Sequence, residues 1–422
     1  MRNEASNIEG ATHDAGWRDA AVIFSVTLLL MLWPLAINRA PFYSADSASY
    51  LHGGEFGFNT GLLILDHWWQ SLIGTAAPAG GGSADPKIIV AKAIADSGGT
   101  RSVIYSVATY LLRAPGISLL ALAIAQAAAV AWIVTLLVRL VAPRAGILAG
   151  LVAGGGTALL TSASWYAAYV VPDILAGVAI AGIVALSVLF ERTSLPTRLA
   201  LVLLAAFSIS AHSSHFLIAF GVTLVGLAVH FWLYRPPLGT GLRRAAWIAS
   251  PVLLAVAALL GTSYVAFGQP SLAPKRYPIQ LARSVADGPG AWYLRDHCAT
   301  EHYAICEVLG PNPPRDVGEF LWSANGVRFR ATPEQMERIR DEEGTIVRRA
   351  AMAYPGVQLR KSVSNTVLQF VDFGTGDLVF GIDIVNPADP VIEQKRPDWP
   401  ALKAAGDIVV YGSFIAAIVL LF

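Results

Sequence analysis

Charge is what this sequence has least of. Only 14% of its 422 residues are Asp, Glu, Lys or Arg, where a soluble domain carries roughly 25%. Much of the chain is therefore built for a medium other than water. The charge that is present sums to +1, a balance that points to no nucleic acid and no acidic partner. Cysteine is nearly absent, with Cys298 and Cys306 the only two. The apolar runs lack the strict alternation of barrel strands. No small-x-small cleavage site follows the first run, so it reads as a retained helix and not as a removed leader. Gly154-Gly155-Gly156 lacks the following Lys-Ser/Thr of a P-loop and reads as close helix packing. No internal repeat is visible.

What the chain does have is a series of apolar runs near the roughly 20 residues that cross a bilayer core of about 30 Å as helix. They cover about Ala20–Ile37, Ile117–Val141, Ala145–Thr161, Asp173–Phe190, Arg198–Ala211, Phe216–Leu233, Ala245–Phe267 and Ile408–Phe422. The expectation is an all-α polytopic membrane protein, a bundle of about eight transmembrane helices. Basic residues set the orientation. With the N-terminus inside, the inner loops hold Arg2, Arg18, Arg139, Arg144, Arg192, Arg198, Arg235, Arg243 and Arg244. The turns Ser162–Pro172 and His212–His215 hold no Lys or Arg. This predicts a cytoplasmic N-terminus over 1–19 in the inner (plasma) membrane and a membrane module over 20–267. A first outer loop follows at 38–115, an outward-facing, mainly helical domain at 268–407, and a last span at 408–422.

Within the outer domain, Thr332-Pro333-Glu334-Gln335 has the residues of a capping box. A helix is predicted from there to about Met352, stopping before Pro355, and a second over Val357–Val371. Cys298 and Cys306 lie in the same segment, where an oxidising compartment makes a disulfide the first expectation. A metal site with His297 and His302 is the rival, and the spacing is wider than the usual CxxC ligand pair.

Four residues carry the chemistry. Asp46 opens the first outer loop, in Pro41-Phe42-Tyr43-Ser44-Ala45-Asp46-Ser47-Ala48-Ser49-Tyr50. A carboxylate there is either a general base, a ligand of a divalent cation such as Mg or Mn, or the cap of a short helix. Asp173 starts the fourth span and is either its cap or a functional acid held close to hydrocarbon. His212 and His215 flank a short turn, where imidazoles can hold a phosphate, donate hydrogen bonds or ligate a metal, or simply form a polar turn. Trp165, Tyr166 and Tyr169 form either an interface belt or a surface for stacking a sugar, and Tyr50 lies close to Asp46 in the chain. All these residues fall on the predicted outer side, and acids and imidazoles at one depth suggest an outward-facing site.

This pattern resembles the GT-C superfamily of membrane glycosyltransferases over about Ala20–Phe267 plus an outer C-terminal domain. In that superfamily the first outer loop carries an acidic motif near its start, which Asp46 matches, and a later outer loop carries a second acid, which Asp173 resembles. Pro86–Leu112 resembles its membrane-surface helices. Val171-Pro172-Asp173-Ile174, His212-Ser213-Ser214-His215 and Glu319-Phe320-Leu321-Trp322 are also similar to segments of a group of bacterial multispanning proteins. The resemblance implies a polyprenyl-phosphate sugar donor entering from membrane lipid and transfer at the outer face. Asp46 and Asp173 would be catalytic, with His212, His215, Tyr50, Trp165 and Tyr169 binding substrate. One departure is that Ser47 follows Asp46 where many members pair two acids. The alternatives are a transporter or flippase, which would place polar or broken helices at mid-membrane depth, and a non-enzymatic envelope assembly protein.

Overall fold

The computed structural model describes residues 2–73, 101–113, 119–267, 270–272, 276–372, 374, 382–384, 392–394 and 400–421. Residues 86–100 of the expected membrane-surface helices lie outside these. The described residues fall into two compact units.

The first unit opens with α1 (Arg2–Met31) and α2 (Trp33–Asn38), separated where Pro34 sits in the first turn of α2. Then come α3 (Ala45–Ile73), α4 (Val103–Leu111), α5 (Leu120–Val141), α6 (Gly146–Leu160), α7 (Ala163–Ala167), α8 (Ile174–Val188), α9 (Leu195–Ser210), α10 (Ser213–Leu233) and α11 (Leu238–Phe267). Among the described residues, five helices are long and apolar enough to cross a membrane: Trp17–Asn38, α5, α10, Leu238–Val265 and the C-terminal helix. Their outer faces settle the medium. Leu217, Trp232, Leu253 and Val419 stand 64–77% exposed, a surface that a water-soluble bundle would bury. The protein is thus a multi-pass membrane protein.

Three more apolar helices are shorter. α6 and α8 have 15 residues and α9 has 16, about 23 Å of helix against a hydrocarbon core of about 30 Å. Small residues bring the helices together. A Cβ on Gly150 would meet Ile23, and one on Gly154 would meet Thr27, so this face of α6 needs glycine to touch α1. The packing role expected for the Gly154–Gly156 run is met at Gly154, whereas Gly156 faces open space. The longest contact in the loop region is between α3 and α4, where Gly54 lies directly over the Ser106 carbonyl.

The second unit, described over 276–372, is helical. It holds α12 (Ile279–Asp287), α13 (Pro289–Glu301), α14 (Ala304–Leu309), α15 (Val317–Trp322), α16 (Val327–Arg330), α17 (Pro333–Ala353) and α18 (Pro355–Val371). α17 starts on a complete capping box: Gln335 N–H donates to Thr332 Oγ1 at 3.2 Å, and Thr332 N–H to Gln335 Oε1 at 3.0 Å. Its buried face packs Met336, Ile339, Ile346 and Ala350 on Leu281, Leu294, Ile305 and Phe320. Glu343 is fully buried in that face, where it accepts the Leu281 N–H at 3.0 Å and pairs with Arg276 at 2.6 Å. A buried carboxylate persists only with such partners.

A disulfide joins Cys298 of α13 to Cys306 of α14, with Cα atoms 5.6 Å apart. Both sulfurs are consumed, so the rival thiolate metal site with His297 and His302 is excluded. Replacing both cysteines by Ser is expected to remove about 2 kcal/mol from this unit through the freed loop. Denaturant unfolding of the full chain in detergent measures it, and an unchanged midpoint would refute a stabilising role.

A small antiparallel pair follows, β1 (Ile382–Ile384) with β2 (Ile392–Gln394). The last helix, α19 (Pro400–Leu421), begins eight residues before the Ile408 expected from hydropathy. Its first two turns accommodate Lys403 and Asp407, whose charge hid the helix start from a hydropathy reading.

Candidate functional site

The site is built where the chain leaves the first membrane helix. Past Arg39, which is left-handed at φ 57°, the backbone of Phe42 pairs with the segment before α8. Phe42 N–H donates to Ala168 O at 2.9 Å, and Val170 N–H donates to Phe42 O at 2.8 Å. Ser47 Oγ adds a third tie, to Val170 O at 3.0 Å. The loops that carry Asp46 and Asp173 are therefore one hydrogen-bonded piece, although far apart in sequence.

Ser44, and not Asp46, caps α3, because its hydroxyl accepts the Asp46 N–H at 3.2 Å. That corrects the expectation of Asp46 as a cap. Its carboxylate is left for another partner, and Arg101 forms an ion pair with it. Both side chains are partly open to solvent, at 28% for Arg101 and 39% for Asp46. Asp173 precedes α8, makes no side-chain capping bond and is exposed, so capping does not explain this acid either.

α4 joins the α9–α10 turn to this piece. Ser102 caps α4 and donates its hydroxyl to Ser210 O at 2.6 Å. Tyr105 donates to Gln126 Oε1 at 2.8 Å, and Gln126 Nε2 donates to Ala167 O at 3.1 Å and Tyr169 O at 2.9 Å. One buried amide on α5 thus holds α4 to the strand-like segment before Asp173. Beyond Ser210, His212 is the N-cap of α10: its Nδ1 accepts the Ser214 N–H at 3.3 Å. His215 is only 3% exposed and bonds Ser208 O through Nδ1 at 2.8 Å, with the two rings 5.5 Å apart.

Electrostatics show that these groups share a neighbourhood. Burial holds the His212 imidazole below its ordinary value. Against that, Asp173 raises it; Arg101 lowers it further, and Asp46 raises it. The Tyr50 phenol is raised, first by burial, with Arg101, Asp46 and Asp173 as the charges acting on it. The charges of Asp46, Asp173 and Arg101 thus act on both His212 and Tyr50, and Arg101 joins the expected set through its ion pair with Asp46. Arg101 lies in the Pro86–Leu112 stretch, which the sequence marked only for its resemblance to membrane-surface helices.

His212 caps through an unprotonated Nδ1, and its folded value lies below the roughly 6.5 of an unfolded chain. The unfolded state then binds the proton first as pH falls, so the stabilisation is full above about 6.5 and is lost as pH drops from there through the folded value. Thermal unfolding at about pH 8 and about pH 5.5 is expected to differ more for wild type than for His212→Asn, which caps without titrating. An equal difference in both would refute the assignment.

The aromatic expectation is corrected. Tyr50, Trp165 and Tyr169 are 1%, 3% and 7% exposed. Trp165 stands edge-on to Trp33 at 4.6 Å, and Tyr50 edge-on to Tyr105 at 4.9 Å. These rings are the core that fixes the loops, and neither a membrane belt nor an open sugar-stacking face is made of them. The divalent-cation expectation rested on Asp46 and Asp173. The Asp46 carboxylate is taken by a guanidinium, and among the described residues no three His, Cys, Asp or Glu side chains gather to hold a metal ion.

In chemical terms the site offers an open acid beside a cation, a second open acid and an imidazole whose ring is neutral near pH 7. That set can take a proton from a hydroxyl and bind an anion. Against known proteins, no family model, no curated relative and no solved structure matches the chain.

Proposed function

We propose that the protein is a GT-C-like glycosyltransferase that moves a sugar from a polyprenyl-phosphate donor to an acceptor hydroxyl at the outer face of the membrane. The observation that carries this reading is the Asp46–Arg101 pair, set beside Asp173 and His212 on loops tied together at one end of a membrane bundle.

In this reading all eight apolar helices cross the membrane with the N-terminus inside. The disulfide supports an outward second unit, since such bonds persist in oxidising compartments. Asp46 takes the proton of the acceptor hydroxyl as general base. The acceptor oxygen attacks the anomeric carbon, and the carbon–oxygen bond to phosphate breaks, its electron pair leaving with the lipid phosphate. Arg101 turns from Asp46 to that phosphate, which a guanidinium holds through two parallel hydrogen bonds. Release of Arg101 leaves Asp46 free to accept the proton, so donor binding arms the base. Asp173 orients the acceptor. His212 donates its Nε2 proton in a hydrogen bond to the donor phosphate, and His215 holds the turn.

The test is purified protein in liposomes supplied with radiolabelled polyprenyl-phosphate sugars and candidate glycan or lipid acceptors. Transfer of label supports the reading. Movement of label across the membrane without transfer would make the protein a flippase and refute it.

A further inference from the structure

α18 is the one long helix of the second unit with an uncovered apolar side. Leu359, Val363, Val367 and Val371 recur at every fourth position and so share a face. They are 67%, 55%, 59% and 49% exposed, and Leu368 at the edge of the stripe is 60% exposed. The opposite side is fixed to the unit: Asn365 Nδ2 donates to both carboxylate oxygens of Asp287, each at 3.1 Å. Asn365, on the side away from the stripe, is thus tied to the end of α12.

Two features say what covers it. The helix Pro355–Val371 carries Arg360 and Lys361 and no acidic residue, so its charge complements an anionic surface. The unit is also tethered at both ends to membrane helices, after α11 and before α19, and so is confined near a bilayer whichever side it occupies. Tethering raises the effective concentration of lipid at the helix, and a modest stripe is then enough to dock.

We propose that α18 is an interfacial helix whose Leu359–Val371 stripe lies in the surface of an anionic bilayer. This does not depend on the transferase reading. It gives the second unit a fixed face toward the membrane.

The native cysteines are joined in a disulfide, so one introduced cysteine can be spin-labelled alone. The full chain is placed in phosphatidylethanolamine/phosphatidylglycerol vesicles with Val363→Cys or Val367→Cys on the stripe, and Ser362→Cys or Gln369→Cys off it. All four positions are exposed, so folding is preserved. Collisions with oxygen, which concentrates in lipid, are compared with those of a water-soluble nickel chelate. The expected result is an oxygen-to-nickel ratio severalfold higher at the two valines, reduced when phosphatidylcholine replaces the anionic lipid. Equal ratios at all four positions would put the stripe in water and overturn the proposal. Valine labels shielded from both reagents would also overturn it, because a protein surface, in a second copy or elsewhere in this chain, would then be the occupant.

Discussion

If the chain is the transferase proposed above, replacing Asp46 by Asn is expected to lower the rate of sugar transfer by about 10²–10⁴-fold, the usual contribution of a positioned general base, while the chain still folds and inserts. The substitution keeps the shape of the side chain and leaves the Ser44 cap of α3 in place. It breaks the ion pair with Arg101, but both partners are partly solvated, and such pairs contribute about 0–1 kcal/mol. Activity and stability thus separate cleanly. Transfer is measured in liposomes, and thermal unfolding on the same preparation. A variant that transfers at the wild-type rate would remove Asp46 from the chemistry. One that loses both activity and its melting transition would make the carboxylate structural instead.

Gly54→Val is expected to destabilise the first unit by about 3 kcal/mol or more, at or beyond the top of the usual overpacking range, and to abolish transfer with it. A Cβ there would land on the Ser106 carbonyl oxygen and lie 2.7 Å from Tyr110 Cβ. The obstacle is helix backbone, which cannot swing aside as a side chain would. α3 carries Asp46 at its first turn, and Arg101 sits just before α4, so forcing the helices apart pulls the ion pair open. Gly61→Ala on the same helix meets nothing within 4 Å and is the control for helix propensity. Detergent melting curves of both variants decide the point: an equally stable Gly54→Val would mean that the α3–α4 seam yields.

Much of the architecture was legible in the residues. Hydropathy found the apolar helices, although α1, α11 and α19 begin well before the starts it gave, and Thr332 with Gln335 marked the start of α17 correctly. The cysteine pair was also read correctly. These signals are local, resting on composition over one helix or on spacing within one turn. The site was harder to read, because its parts meet through tertiary contacts. Asp46, Asp173 and His212 were legible as polar residues stranded beside hydrocarbon. Their mutual nearness was visible only as a shared side of the membrane. Arg101 looked like one surface charge among several, and nothing near it in the chain names Asp46 as its partner. Gln126 did carry a signal, being a lone amide within an apolar span, and such groups are expensive unless paired. The aromatics misled because Trp and Tyr near a membrane boundary look alike whether they face lipid, sugar or core. Burial alone separates these cases.

The three short helices have a consequence for the surrounding lipid. α6 ends, α8 begins and α9 ends on the side where Asp173 and His212 sit. Each falls roughly 7 Å short of a full hydrocarbon thickness. On the proposed reading, in which these three also cross, that mismatch is relieved by bilayer that thins against this part of the bundle, and lipid headgroups there settle deeper than in the open membrane. The proposed lipid-phosphate donor would then reach the level of Arg101 by diffusing sideways, with its tail still in the hydrocarbon. The shortness of these helices would bring the headgroup down to the protein without the protein having to lift the lipid out.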